Sequence, residues 1–149
     1  MSRNYLALGA ISAGLGVVLG AFAAHALKTR IEPQALAIFE VAVRYQMYHA
    51  LALVAIGMLS ARHPDRRLDW SGALFVAGTV LFSGSLYLLS LTGVKWLGAI
   101  TPFGGVAFLA GWGCLTAAAL KLRRAARRSS SSPPMTSTPC RLSRSTPPT

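Results

Sequence analysis

The sequence is poor in the residue patterns on which soluble enzymes and metal proteins build their chemistry. It has two cysteines in 149 residues, Cys114 inside an apolar run and Cys140 in the C-terminal tail. They lie in unlike settings without ligand spacing, which indicates neither a disulfide nor a metal site. HxxxH and HExxH are missing, as is Gly-x-Ser-x-Gly. Ser83-Gly84-Ser85 has no strand-turn-helix context to make a hydrolase serine of it. Charge is scarce as well, 13% of residues against 53% hydrophobic. An ordinary soluble domain of this length carries about twice that charge, so the membrane class is indicated.

What is present is a series of long apolar runs. Tyr5 to Leu27 is 23 residues without a charge, about 34 Å of helix at about 1.5 Å per residue, enough to cross a bilayer. Arg3 and Ala21-Phe22-Ala23 also resemble a signal peptide with its cleavage site. The apolar stretch is longer than the usual signal core of about 7–15 residues and is interrupted by glycines, so an uncleaved first span is expected. Pro33 suits the opening of a second helix over about 34–60, ended by Pro64. A third span covers Trp70 to Thr92, and Thr101-Pro102 reads as a cap and first turn for a fourth over about 102–124. The fold expected is all-α: a polytopic membrane protein, a compact bundle of four transmembrane helices over residues 1–128. Residues 129–149, with 16 Ser, Thr or Pro among 21, are expected to form a disordered tail.

Small residues recur every fourth position at Ser12, Gly16, Gly20 and Ala24. With Gly104 and Gly105 at the head of the fourth helix, they predict close helix packing. The polar residues concentrate in the second helix, where Glu40, Arg44, Tyr45, Gln46, Tyr48 and His49 precede an apolar body. Glu40 and Arg44 have the spacing of a helical ion pair. Thr79, Ser83, Tyr87 and Ser90 form one stripe on the third helix. Ionisable groups within a span face protein or water rather than lipid. The cluster His25, Glu40, Arg44, Tyr45, Gln46, His49, Thr79, Ser83, Tyr87 and Thr101 is therefore expected to converge at one depth.

The net charge of +11 lies between and after the apolar runs, which is the pattern of a membrane protein's topology and not of a nucleic-acid interface. Arg3, Arg62, Arg66, Arg67, Lys121, Arg123, Arg124, Arg127 and Arg128 fall on one side. Lys28, Arg30 and Lys95, with Arg44 at the boundary, fall on the other. The positive-inside rule then places both termini in the cytoplasm and the polar cluster in the outer half of the membrane. The basic run Lys121 to Arg128 serves as a topology anchor and is able to attract anionic headgroups.

Four blocks carry a family resemblance: Gly20-Ala-Phe-Ala-Ala-His-Ala-Leu27, Arg44-Tyr-Gln-Met-Tyr-His-Ala-Leu-Ala-Leu53, Phe82-Ser-Gly-Ser-Leu-Tyr-Leu-Leu89 and Gly98-Ala-Ile-Thr-Pro-Phe-Gly-Gly105. In order and content they resemble the YgdD-like family, domain of unknown function 423, whose eukaryotic branch is called transmembrane protein 256. The resemblance runs from about Tyr5 to Arg124 and leaves out the tail. It implies a small four-helix membrane protein, with no established activity and no catalytic residues to carry over.

Three function classes meet these residues. A non-catalytic structural or interaction protein of the bacterial inner membrane fits best. A small transporter or permeation subunit using the outer polar cluster is the alternative, weakened by inner halves that offer few polar groups. An intramembrane enzyme would need a nucleophile, base and orienter that the spacing does not assemble. Two histidines fall short of the three or four ligands of a usual metal site. No metal, no cofactor and no nucleic-acid partner are expected. The lipid bilayer is the expected partner, and a protein partner or homo-oligomer is left open.

Overall fold

The structure is a computed structural model that describes residues 2–130. All regular elements among these residues are helical. They are α1 (Ser2–Phe22), running on through a π-turn at Ala23–Leu27, α2 (Pro33–Arg62), α3 (Arg66–Gly78), a second π-turn at Thr79–Ser83, α4 (Gly84–Thr92), a 3-10 turn at Lys95–Ala99, and α5 (Thr101–Ser130). With α3, the π-turn and α4 forming one continuous rod, the described residues make four long helices. The residues beyond Ser130, and with them the expected tail and Cys140, lie outside the described part.

The local sequence accounts for the breaks. Pro33 stands at the first position of α2, where its missing N–H costs nothing. Pro64 stops α2, and the Asp65 carboxylate then caps α3 by accepting the Arg67 N–H at 3.0 Å. The third rod ends at Gly93, whose φ of +71° is the left-handed cap that glycine adopts without strain. Helix ends differ from expectation mainly at the third rod, which starts at Arg66 rather than Trp70, and at α5, which continues past 124 to Ser130.

Neighbouring rods run antiparallel. Gly9 faces Ala50 and Val54 while Gly20 faces Val43, and Ser71 bonds Gly111 while Ser85 bonds Thr101. α2 lies between α1 on one side and the α3–α4 rod on the other, and α5 packs along α3. The core is built where glycines admit bulk. Phe75 sits in the space left by Gly111, and Phe108 in the space left by Gly78; an added Cβ would come within 2.6 Å and 2.5 Å of the respective rings. Leu53, Ile56, Leu68, Phe75, Phe108 and Ala118 form the central apolar cluster, and Ala23, Leu27 and Phe39 form a second one at the other end.

Among the described residues, three segments are long and apolar enough to cross a membrane, judged by length and composition: Asn4–Leu27, Arg66–Thr92 and Lys95–Arg124. α2, the remaining long helix, does not meet that criterion. The reason is its polar content: Glu40, Arg44, Gln46 and His49 dilute a helix that is nonetheless buried along Phe39, Ala42, Ala50, Leu53 and Ile56.

The end carrying the N-terminus of α1 is clasped by polar contacts. Lys121 of α5 meets Asp65 at 2.8 Å, and Arg67 donates to the Ala117 carbonyl at 3.1 Å. Tyr5 donates to the Asp69 carbonyl at 2.9 Å. The hydrogen bond from Lys121, aided by the Arg67 N–H, holds the Asp65 carboxyl below its ordinary range.

Candidate functional site

Gln46 is the hub of the polar interior. It is buried, its Nε2 donates to the Ser12 carbonyl on α1 at 2.9 Å, and its Oε1 accepts from the Tyr87 hydroxyl on α4 at 2.8 Å. One side chain thus ties three helices together and leaves neither of its polar atoms unused, as burial in an apolar setting requires. Ser83 lies in the π-turn and donates to the Ala42 carbonyl of α2 at 2.9 Å. In the π-turn, the Thr79 hydroxyl donates to the Phe75 carbonyl at 2.8 Å, and the Gly84 N–H reaches back to the Thr79 carbonyl. Such turns rotate the following side chains relative to an α-helix, and here they aim Ser83 and Tyr87 at α2.

His49 forms the second centre. Its Nδ1 lies 2.8 Å from the Tyr45 carbonyl. A carbonyl only accepts, so the proton is on Nδ1 and the Nε2 lone pair faces outward from the helix. Trp112 Nε1 on α5 donates to that lone pair at 3.2 Å. The imidazole is therefore the neutral Nδ1–H tautomer with both nitrogens engaged. Its ring lies flat on Phe108, centroids 3.4 Å apart at an angle of 4°, and its edge approaches Phe75. Tyr45 continues the aromatic stack onto Phe82, centroids 4.7 Å apart.

Between α2 and α5 these rings line a lateral groove of about 740 Å³, walled by Tyr45, Tyr48, His49, Phe82, Phe108 and Trp112 among others. Its rim is exposed at Tyr48, Val106 and Leu109. It lies on a face of the bundle and not along its axis.

The cluster expected from the sequence is thus divided. Gln46, His49, Ser83 and Tyr87 meet other helices, and Thr101 shares a hydrogen bond of 3.0 Å with Ser85. Tyr45 stacks within the groove, and Thr79 bonds only its own helix. Glu40 and Arg44 are exposed, and the ion pair expected between them is not formed among the described residues; both point along the open face of α2. His25 is exposed in the first π-turn and stands away from His49. Because Gly9 meets Ala50, His49 lies opposite the middle of α1. Among the described residues no three His, Cys, Asp or Glu side chains gather as metal ligands would.

The expected packing stripe on α1 is also revised in part. Ser12 contributes its carbonyl, Gly16 touches Met47 and Gly20 touches Val43, but Ala24 is exposed. The tighter approaches are at Gly9 and Gly57, where an added Cβ would lie 2.7 Å from the Ala50 carbonyl and 2.5 Å from the Leu6 nitrogen. Gly104 is closed by the Phe82 backbone at 2.5 Å, whereas Gly105 has only Phe82 at 4.0 Å. Sequence reasoning missed Trp112, Phe108, Ser71 and Ser85. Trp112 carried a usable signal: a tryptophan in mid-helix, away from the membrane interface that the residue prefers, one turn beyond Phe108.

With this geometry in hand, the comparisons decide the family. The profile described as protein of unknown function, DUF423, matches residues 19–105. The chain belongs to this family. It is 47% identical over 119 residues to a UPF0382 membrane protein of Staphylococcus aureus, covering 80% of this chain and 97% of that protein. To the UPF0382 membrane protein YwdK of Bacillus subtilis it is 47% identical over 120 residues, 80% of this chain and 98% of that protein. A third relative, from Staphylococcus saprophyticus, is 44% identical over 120 residues, 80% of this chain and 99% of its own length. No solved structure matches the chain. The family match takes in Gln46, His49, Ser83 and Tyr87 and ends before Phe108 and Trp112. This is a membrane protein of an uncharacterised family, with only helices for regular elements in its described part.

Proposed function

We propose that the protein crosses the membrane four times and acts there as a structural or interaction component of the bacterial inner membrane, without catalysis of its own. The observation that carries this reading is the fate of its interior polar groups. Gln46, Tyr87, Ser83, His49 and Trp112 are joined to one another or to backbone carbonyls of neighbouring helices. Groups spent in this way hold helices together. α2 supplies the fourth crossing: it is flanked by two candidate spans, and its buried polar side chains find their partners in protein rather than lipid.

The distribution of basic residues supports cytoplasmic termini, since Arg62, Arg66, Arg67 and Lys121 gather at the end where α1 begins. Reporter fusions after residue 130 are expected to be active only in their cytoplasmic form. Activity of an exported reporter there would overturn the orientation.

The lateral groove favours a second reading, a small transporter or permeation subunit, because its rim is open while its floor holds His49. The two readings separate in cells. Tyr48→Ala and Leu109→Ala change the exposed rim without removing core contacts, and are expected to leave both folded protein and any deletion phenotype rescued. If they abolish rescue while the purified protein melts as wild type, the groove is a site and the structural reading fails.

A further inference from the structure

On the opposite side of α2 from the aromatic groove, the seam between α1 and α2 forms a second groove of about 990 Å³, lined by Leu6, Ala10, Ala55, Met58, Leu59 and Arg62 among others. We infer that this seam holds one anionic phospholipid of the adjacent leaflet, an acyl chain in the groove and its phosphate on the Arg62 guanidinium.

The chemistry of the wall selects the occupant. Among the described residues the lining apart from Arg62 is aliphatic or small: it offers no aromatic face to stack a ring on and no second polar side chain to orient a polar solute. A ligand that complements it is apolar over most of its length and negative at one end. Arg62 is exposed and is the last residue of α2. It has neither an ion pair nor a hydrogen bond from its side chain among the described residues. The nearest acid in sequence, Asp65, is occupied by Lys121 at 2.8 Å. A guanidinium offers a fork of donors suited to a phosphate, and a charge at the edge of an apolar groove meets one in the headgroup layer.

The dimensions agree. From Arg62 back to Ala55 the wall follows about two turns of helix, about 10 Å, so it accommodates the upper part of an acyl chain below its headgroup. The floor is firm, because Gly57 lets α1 approach until an added Cβ would lie 2.5 Å from the Leu6 nitrogen. This site is separate from Lys121, Arg123 and Arg124 of α5, which do not line the groove.

The test is native mass spectrometry of the full chain, released from detergent with equal amounts of phosphatidylglycerol and phosphatidylcholine. The wild type is expected to retain phosphatidylglycerol several-fold over phosphatidylcholine. Arg62→Gln should bring that ratio close to one, while Arg123→Ala/Arg124→Ala keeps it. Met58→Trp, or Ala10→Leu should the first variant fail to melt as wild type, fills the groove without touching the charge and should lower retention of both lipids. An unchanged ratio in Arg62→Gln, or a ratio lost in the α5 variant, overturns the headgroup assignment. Unchanged retention in a folded groove-filling variant overturns the groove.

Discussion

Gly57→Ala is expected to destabilise the protein by about 2–3 kcal/mol, the upper part of the range for forcing an extra group into a packed interior. The added Cβ would meet the Leu6 nitrogen at 2.5 Å and the Leu6 Cα at 2.8 Å. These are backbone atoms that no rotamer change moves away, so α1 itself must shift. That shift would disturb the neighbouring approach of Gly9 to Ala50 and Val54. Gly104→Ala meets the Phe82 nitrogen at the same distance and should behave alike. Gly14 and Gly113 have nothing within 4 Å of an added Cβ; alanine there should be neutral or stabilise by up to about 1 kcal/mol through helix propensity. Unfolding in mixed micelles titrated with sodium dodecyl sulfate measures all four. Equal stability of Gly57→Ala and Gly14→Ala would show that the two helices do not meet as described.

His49→Ala is the second substitution with a large expected effect, about 2–4 kcal/mol, combining a core cavity with a lost hydrogen bond. The imidazole fills the space between Phe75 and Phe108, and its removal also leaves the Trp112 N–H without an acceptor. Trp112→Phe keeps most of the ring and loses only the bond, a cost of about 1 kcal/mol. In the double variant the two effects should fall short of additive, because the bond is counted once in each single change. Arg44→Ala provides the contrast. The sequence places Arg44 in the polar cluster expected to face protein, but Arg44 is exposed and the change should stay within about 0.5 kcal/mol. A larger loss for Arg44→Ala than for His49→Ala would reverse the assignment of which polar residue supports the fold.

The contrast between Arg44 and His49 also marks how far the sequence could be read. Both stand in one polar stretch, and composition treats them alike. A register shift of five residues along α2 places one on the open face and the other against Phe108. The i, i+4 spacing made a Glu40–Arg44 pair geometrically allowed, but on an exposed face such a pair is worth only a few tenths of a kcal/mol, too little to fix two long side chains. The GxxxG at Gly16 and Gly20 was legible for a similar reason and misleading for another. A motif reports that close approach is allowed there, while the site of closest approach depends on where the two helix axes cross, and that is at Gly9 and Gly57.

The sequence by itself determined that this is an all-helical membrane protein and which family it belongs to. Those properties follow from length, hydropathy and caps, all of them local along the chain. Only the tertiary structure decided the partners. It joined Gln46 to Ser12 and Tyr87, put Trp112 on His49, and paired Phe75 with Gly111 and Phe108 with Gly78. Each of these depends on the rotation and offset of one helix against another. In an apolar surrounding that offset is set by shape and by satisfaction of the few buried polar groups, which no single segment contains.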